Sequence, residues 1–205
     1  AGTLAAYFYI DELMRFVTAP AGKLYFLSPA EGFFAYLKLA VFAGFMLALP
    51  VVLWEAWAFV VPALTSGEKK WAIIMVPGSV ALFFTGVAFA YLLVWPAAIK
   101  FFLGFGSESL QPMLSMGQYL SFLLSFILPF GIIFNLPLAL LVLAKMGIIS
   151  SNFLAKQRRM MILVAFIVGG IITPTPDIFT QTMMAIPIIL LYEASIWAVK
   201  ILLRK

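Results

Sequence analysis

The chain has 205 residues, 65% of them hydrophobic and only 10% charged, with a net charge of +5 and a mean hydropathy of +1.13. A soluble domain carries about 45–50% apolar and about 25% charged residues, so this composition cannot clothe a water-facing surface and calls for lipid as the main solvent. Cysteine and histidine are absent and the aspartates are Asp11 and Asp177 alone, which excludes disulfides, thiolate and imidazole metal sites, Ser-His and Cys-His catalysis, and disfavours an intramembrane protease.

In chain order, residues 1–17 form a helical stretch that Pro20 stops, followed by a connection over 18–32. Apolar runs long enough for spans follow at 33–61, 71–99 and 119–143. Residues 160–173 and 178–203 form a final pair. The first of these has 14 residues, about 21 Å of helix. The second has roughly 12 apolar residues before Tyr192-Glu193, about 18 Å. Both fall short of a ~30 Å hydrocarbon core, so the pair is expected to thin the bilayer or to be sheltered by a partner. Prolines recur at positions 50, 62, 77, 96, 129, 137 and 187, which favours kinked helices and a concave shape. All of this is one all-α polytopic membrane domain over 1–205.

The thirteen basic residues divide unevenly between the two ends of these spans. Nine (Lys69, Lys70, Lys145, Lys156, Arg158, Arg159, Lys200, Arg204, Lys205) fall in one set of connections, and Arg15, Lys23, Lys38 and Lys100 in the other. The positive-inside rule assigns the first set, and with it the C-terminus, to the cytoplasm. Residues 1–17 then read as the outer half of a first helix whose inner half precedes the chain.

Polar groups inside spans are costly and mark sites to weigh. Asn135, within "GIIFNLP", serves either a helix–helix hydrogen bond or a polar contact facing a groove. Glu55 lies near the cytoplasmic end of its span and can reach the interface. Glu193 can pair with Lys200 or with a loop base. Asp177 suits an N-cap of the last helix. Gln181 and Thr182 can hydrogen-bond a neighbouring membrane helix. In "WAFVVPALTSGEKK", Glu68 sits where the positive-inside rule expects bases. It is either solvated beside Lys69 and Lys70 or available to an arriving guanidinium, which a carboxylate binds bidentately.

Three blocks, "LSPAEGFFAYLKLAVFAGFMLALPVVLWEAWAFVVPALTSGEKK", "KMGIISSNFLAKQRR" and "VGGIITPTPDIFTQTMMAIPIILLYE", resemble the TatC family of twin-arginine protein translocase subunits, and the similarity runs from about residue 5 to 205. The resemblance implies a six-helix concave fold, here lacking most of its first transmembrane helix, with short fifth and sixth helices. It implies a non-enzymatic inner-membrane receptor without cofactors. Such a receptor takes twin-arginine signal peptides of folded cargo at its cytoplasmic face, works with the single-span subunits TatB and TatA and with other TatC copies, and is driven by the proton motive force. By the same resemblance, Glu68 meets the arginines with Phe59 beside it and Glu55 nearby, and Thr173, Thr175 and Gln181 dock TatA or TatB. Two positions depart from the family pattern: Asn135 stands where Glu is common and Glu55 where Gln is common, as though the membrane acid had changed helices. The family's amino-terminal HLxELR-type segment is also absent from these residues. The competing expectation is an ion-coupled transporter or channel using Glu55 and Glu193, for which neither a deep base nor an inverted repeat is visible. No nucleic-acid partner is expected.

Overall fold

A computed structural model describes residues 2–60, 69–104, 113–173 and 177–203, and among these every regular element is helical. The chain opens with α1 (Gly2–Phe8) and α2 (Ile10–Thr18), which are separated at Tyr9. α2 is amphipathic: Ile10 and Met14, one turn apart, are buried, while Asp11, Glu12 and Arg15 are exposed. The Thr18 hydroxyl donates back to the Met14 carbonyl at 2.8 Å, Pro20 follows in a 3-10 turn, and Gly22 turns the chain with φ 72°.

The first long helix, α3 (Pro29–Val60), begins four residues before the apolar run because Ser28-Pro29-Ala30-Glu31 caps it. The Ser28 hydroxyl accepts from the Glu31 amide at 3.3 Å, and the Glu31 carboxylate accepts from the Leu27 amide at 2.6 Å. That carboxylate also accepts from the Gly117 amide at 2.8 Å and from the Ser115 hydroxyl. Beside it, the Tyr25 amide donates to the Leu114 carbonyl and the Met116 amide to the Tyr25 carbonyl, each at 3.0 Å. One acid therefore clasps the segment before α3 to the start of α6 (Met116–Ile133). Glu31→Ala is expected to speed proteolysis between residues 22 and 28 several-fold in detergent, with Glu31→Gln intermediate because the amide keeps one acceptor oxygen. Unchanged cleavage would show that the clasp does not hold this loop.

Between them, α4 (Lys69–Phe89) passes through a π turn at Ala90–Val94 into α5 (Trp95–Leu103). Pro96 accounts for that turn, since it brings no N–H to the ladder. After α6 a two-residue turn at Phe134–Asn135 leads into α7 (Leu136–Lys145), with Pro137 in its first turn. By contrast α3, α4, α6 and α10 (Ile178–Leu203) run through Pro50, Pro77, Pro129 and Pro187 without leaving the helix. Neighbouring helices can satisfy the freed carbonyls, so proline alone does not locate a break. α7 stops at Gly147 (φ 77°), where the amides of Gly147 and Ile148 return to the carbonyls of Ala144 and Leu143 at 3.1 and 3.0 Å. The short α8 (Ser151–Lys156) and then α9 (Arg158–Ile172) complete the set.

Among the described residues, four helical stretches are long and apolar enough to cross a membrane: Pro29–Phe59, Met75–Leu103, Met116–Lys145 and Ile178–Leu202. The last of these corrects one expectation. α9 is short at 15 residues, but α10 continues past Tyr192-Glu193 for 26 residues in all, about 39 Å. The helix does not end at Glu193 because that acid projects sideways onto Arg158, with Nε–Oε1 2.7 Å and a second bond of 2.9 Å. Tyr192 beside it donates to the Leu154 carbonyl at 2.8 Å.

α3 packs against α1, α2, α4 and α6, α4 against α6, and α10 against α7, α8 and α9. The α4–α6 crossing depends on Gly86, where a Cβ would stand 2.6 Å from the Phe130 carbonyl oxygen. At the heart of the bundle Trp95, Phe126 and Phe130 have no exposed surface. The Trp95 indole donates to the Tyr119 hydroxyl, which donates to the Val17 carbonyl, each at 2.9 Å. At that same end, Phe101 stacks on Phe179 with ring centroids 4.0 Å apart, joining the end of α5 to the start of α10.

Candidate functional site

Where α3 and α7 finish and α4 begins, Trp57, Met75, Val142 and Met146 belong to one apolar cluster. A lateral groove of about 370 Å³ opens here, walled by Leu53, Ala56 and Trp57 of α3, Ser79 of α4, and Asn135 and Ala139 among the α7-side residues. Its walls are almost wholly apolar, with Ser79, the Trp57 indole and Asn135 as the polar groups on it. The Trp57 indole donates to the Ser79 hydroxyl at 2.7 Å, and Ser79 is only 2% exposed.

Asn135 arises from the helix break. Its backbone amide bonds to Ile132 at 3.0 Å instead of one turn back, and its side-chain Nδ2 covers the Gly131 carbonyl at 3.0 Å. Its Oδ1 is buried without a hydrogen-bond partner among the described residues. A buried amide oxygen left unpaired costs about 1–3 kcal/mol, so this is an unusual group to keep at the wall of an apolar groove.

Glu55 and Phe59 stand one turn apart on α3, both exposed, Phe59 at 87%. At 100° per residue Glu55 lies on the side of the helix away from Leu53 and Trp57, whereas Phe59 is close to Ala56 around the helix. Glu55 and Asn135 therefore do not share the groove. Glu68 and Thr175 lie outside the described residues. The helix ends flanking residues 61–68 are at the same end of the molecule as the α7–α8 connection, by way of the cluster shared by Trp57, Met75 and Met146.

At the α9–α10 turn, Thr173 is buried and its hydroxyl donates to the Gly169 carbonyl at 2.8 Å. Gln181 folds inward, its Nε2 donating to the Phe166 carbonyl at 2.7 Å over the glycine pair Gly169-Gly170. Asp177 Oδ1 accepts from the Thr180 amide at 2.8 Å, and Oδ2 from the buried Thr180 hydroxyl at 2.5 Å. Glu193 pairs with Arg158 and not with Lys200, at the opposite end of α10 from Asp177. Both members of that pair are a third to a half exposed, so it orients α9 more than it stabilises it.

Sequence reasoning passed over Ser79 and Trp57. Ser79 was detectable as a hydroxyl inside an apolar run, and Trp57, like Trp54, as a residue with a donor that needs a partner when buried. Neither signal says that the two residues meet.

The family model for Sec-independent protein translocase protein (TatC) matches residues 1–187. Among curated relatives, TatC of Carboxydothermus hydrogenoformans is 41% identical, covering 100% of this chain and 86% of that protein. TatC of Aquifex aeolicus is 43% identical over 98% of the chain and 86% of its own length, and TatC of Escherichia coli K12 is 34% identical over 95% and 78%. A crystal structure of the twin arginine translocase receptor TatC superimposes with a TM-score of 0.85 at 40% identity, covering 98% of this chain and 90% of the other. With a family match over residues 1–187, a fold shared over 98% of the chain and, among the described residues, four helices fit to cross a bilayer, this membrane protein belongs to the TatC family of Sec-independent protein translocase proteins.

Proposed function

We propose that this chain is the signal-peptide receptor of a twin-arginine translocase, a binding scaffold and not a catalyst. The observation that carries the reading is the apolar groove between α3, α4 and α7, which opens at the helix ends leading into residues 61–68. Glu68 holds an incoming arginine at the cytoplasmic surface, a charge-assisted and bidentate contact. Phe59, already exposed, packs beside it. The apolar part of the signal enters the groove, where the Ser79–Trp57 pair and the Asn135 amide meet its backbone or polar side chains.

The chain is placed in the bacterial inner membrane with its C-terminus cytoplasmic, on the asymmetry of nine bases against four. The α9–α10 hairpin, with Thr173, Thr175 and Gln181, receives the single-span subunits TatA and TatB. Because Nε2 of Gln181 is bonded to Phe166, the amide oxygen is the atom a partner helix meets. A partner there covers the flank left by the 15-residue α9. Other copies of the receptor complete the complex, and the proton motive force drives export.

The test is photocrosslinking in membranes from a probe carried by the twin-arginine signal peptide, beside its arginines, to this chain. Glu68→Lys is expected to cut the arginine-dependent product by about tenfold or more, since breaking a partly desolvated charge pair costs about 2–5 kcal/mol. Glu68→Asp should keep part of it. Undiminished product with Glu68→Lys would remove Glu68 from the site.

A further inference from the structure

A second groove lies on the membrane-facing side of the α3–α6 contact, toward the starts of both helices. Phe34, Leu37, Lys38, Val41 and Phe45 form a stripe at helical spacing on α3, and Leu124 and Leu128 face it from α6. The volume is about 480 Å³. All but one of these side chains are hydrocarbon or aromatic. The exception, Lys38, is exposed, and its Nζ donates to the Ser121 hydroxyl at 2.8 Å. An ammonium has three N–H donors and carries a full charge. Among the described residues the one ion pair is Arg158–Glu193, at the far end of the molecule, and no carboxylate pairs with Lys38.

Lys38 is nine residues into α3, about 13 Å along the helix from Pro29. A cation at that depth stretches its stem along apolar surface and holds its head near the level of lipid headgroups. The two helices run parallel here, in a register that pairs Lys38 with Ser121. From those residues the groove descends to Phe45 and Leu128, seven residues on, about 10 Å toward the bilayer centre. One ligand chemistry supplies both an anion for the rim and hydrocarbon for the groove, because in a phospholipid the two are covalently joined.

We propose that this groove is a phospholipid-binding site of the leaflet adjoining the start of α3, with the phosphodiester on Lys38 and one acyl chain between α3 and α6. The phosphate oxygens accept from the two ammonium donors that Ser121 does not use. A lipid held there also seals the α3–α6 seam below the Glu31 clasp, which binds the same two helices.

The experiment is native mass spectrometry of the full chain in maltoside detergent, titrated with phosphatidylglycerol. The wild-type chain is expected to retain one lipid more than Lys38→Met, whose affinity for that lipid falls about five- to tenfold. Lys38→Arg should keep it. Val41→Trp leaves the cation in place and fills the groove, and should lose the lipid too. Helical circular dichroism of each variant verifies folding, and because two substitutions act on different parts of the site, one misfolded variant leaves the other decisive. Equal lipid retention by wild type, Lys38→Met and Val41→Trp overturns the proposal. So does a fall from dimer mass to monomer mass in either variant without lipid loss, which would make the occupant a second copy of the chain.

Discussion

Trp95→Ala is expected to destabilise the bundle more than any other single truncation considered, by about 3–5 kcal/mol on the scale of buried aromatic-to-alanine changes. Trp95 has no exposed surface and sits where α5, α6 and the end of α2 converge. Its ring lies 5.3 Å from that of Tyr119, 5.1 Å from Phe122 and 6.1 Å from Phe126. In a membrane the loss falls mainly on packing, because lipid is as apolar as the protein interior and offers no gain in hydrophobic burial. The hydrogen bond adds a smaller share. Trp95→Phe keeps most of the ring volume but removes the donor to Tyr119, and should cost about 1 kcal/mol. Thermal unfolding in detergent ranks the three proteins. Equal losses for the two substitutions would assign the effect to the hydrogen bond and not to the aromatic cluster.

Ala139→Trp is expected to do the reverse, sparing the fold and stopping export. Ala139 is exposed on the wall of the α3–α4–α7 groove, so an indole there enters open volume and does not overpack the core. Stability should change by no more than about 0.5 kcal/mol, the usual range for such surface positions. Export of a twin-arginine cargo should fall about tenfold or more, corresponding to at least ~1.4 kcal/mol of lost signal binding. Arginine-dependent crosslinking from a probe beside the signal's arginines should persist, since the proposed arginine contact does not involve Ala139. Full export by Ala139→Trp would show that the apolar part of the signal lies elsewhere, and would leave the arginine contact standing.

The amide of Asn135 connects these two kinds of position. It stabilises a helix break, through Nδ2 on the Gly131 carbonyl, yet among the described residues it also leaves a buried oxygen unpaired. A residue chosen for stability alone would not leave that oxygen so. Binding surfaces keep such costs where the ligand relieves them.

The amino-acid sequence by itself determined that this is an all-helical membrane protein, because composition and spans of about 20 apolar residues depend only on the solvent the chain must match, and three sequence blocks carried its resemblance to the TatC family. It also marked one local cap, Asp177, which accepts from the amide three residues on; the structure shows the same bond at Ser28, Ser115 and Ser150, and Gly147 ending α7. These signals are legible because a cap and its partner lie within one turn. What the tertiary structure alone decided are the meetings between distant residues. Apolar periodicity is nearly blind to them, since a span is greasy on every side and no face is marked as inward. Hence Pro96 and Pro137 interrupt their helices while Pro50, Pro77, Pro129 and Pro187 do not, Glu193 pairs with Arg158, and Gln181 turns toward α9. Hence also Glu31 reaches across 84 residues to Ser115, and Trp57 finds Ser79 on the wall of the groove. Those contacts are set by which helices lie side by side, a property of the whole packed bundle and not of any one segment.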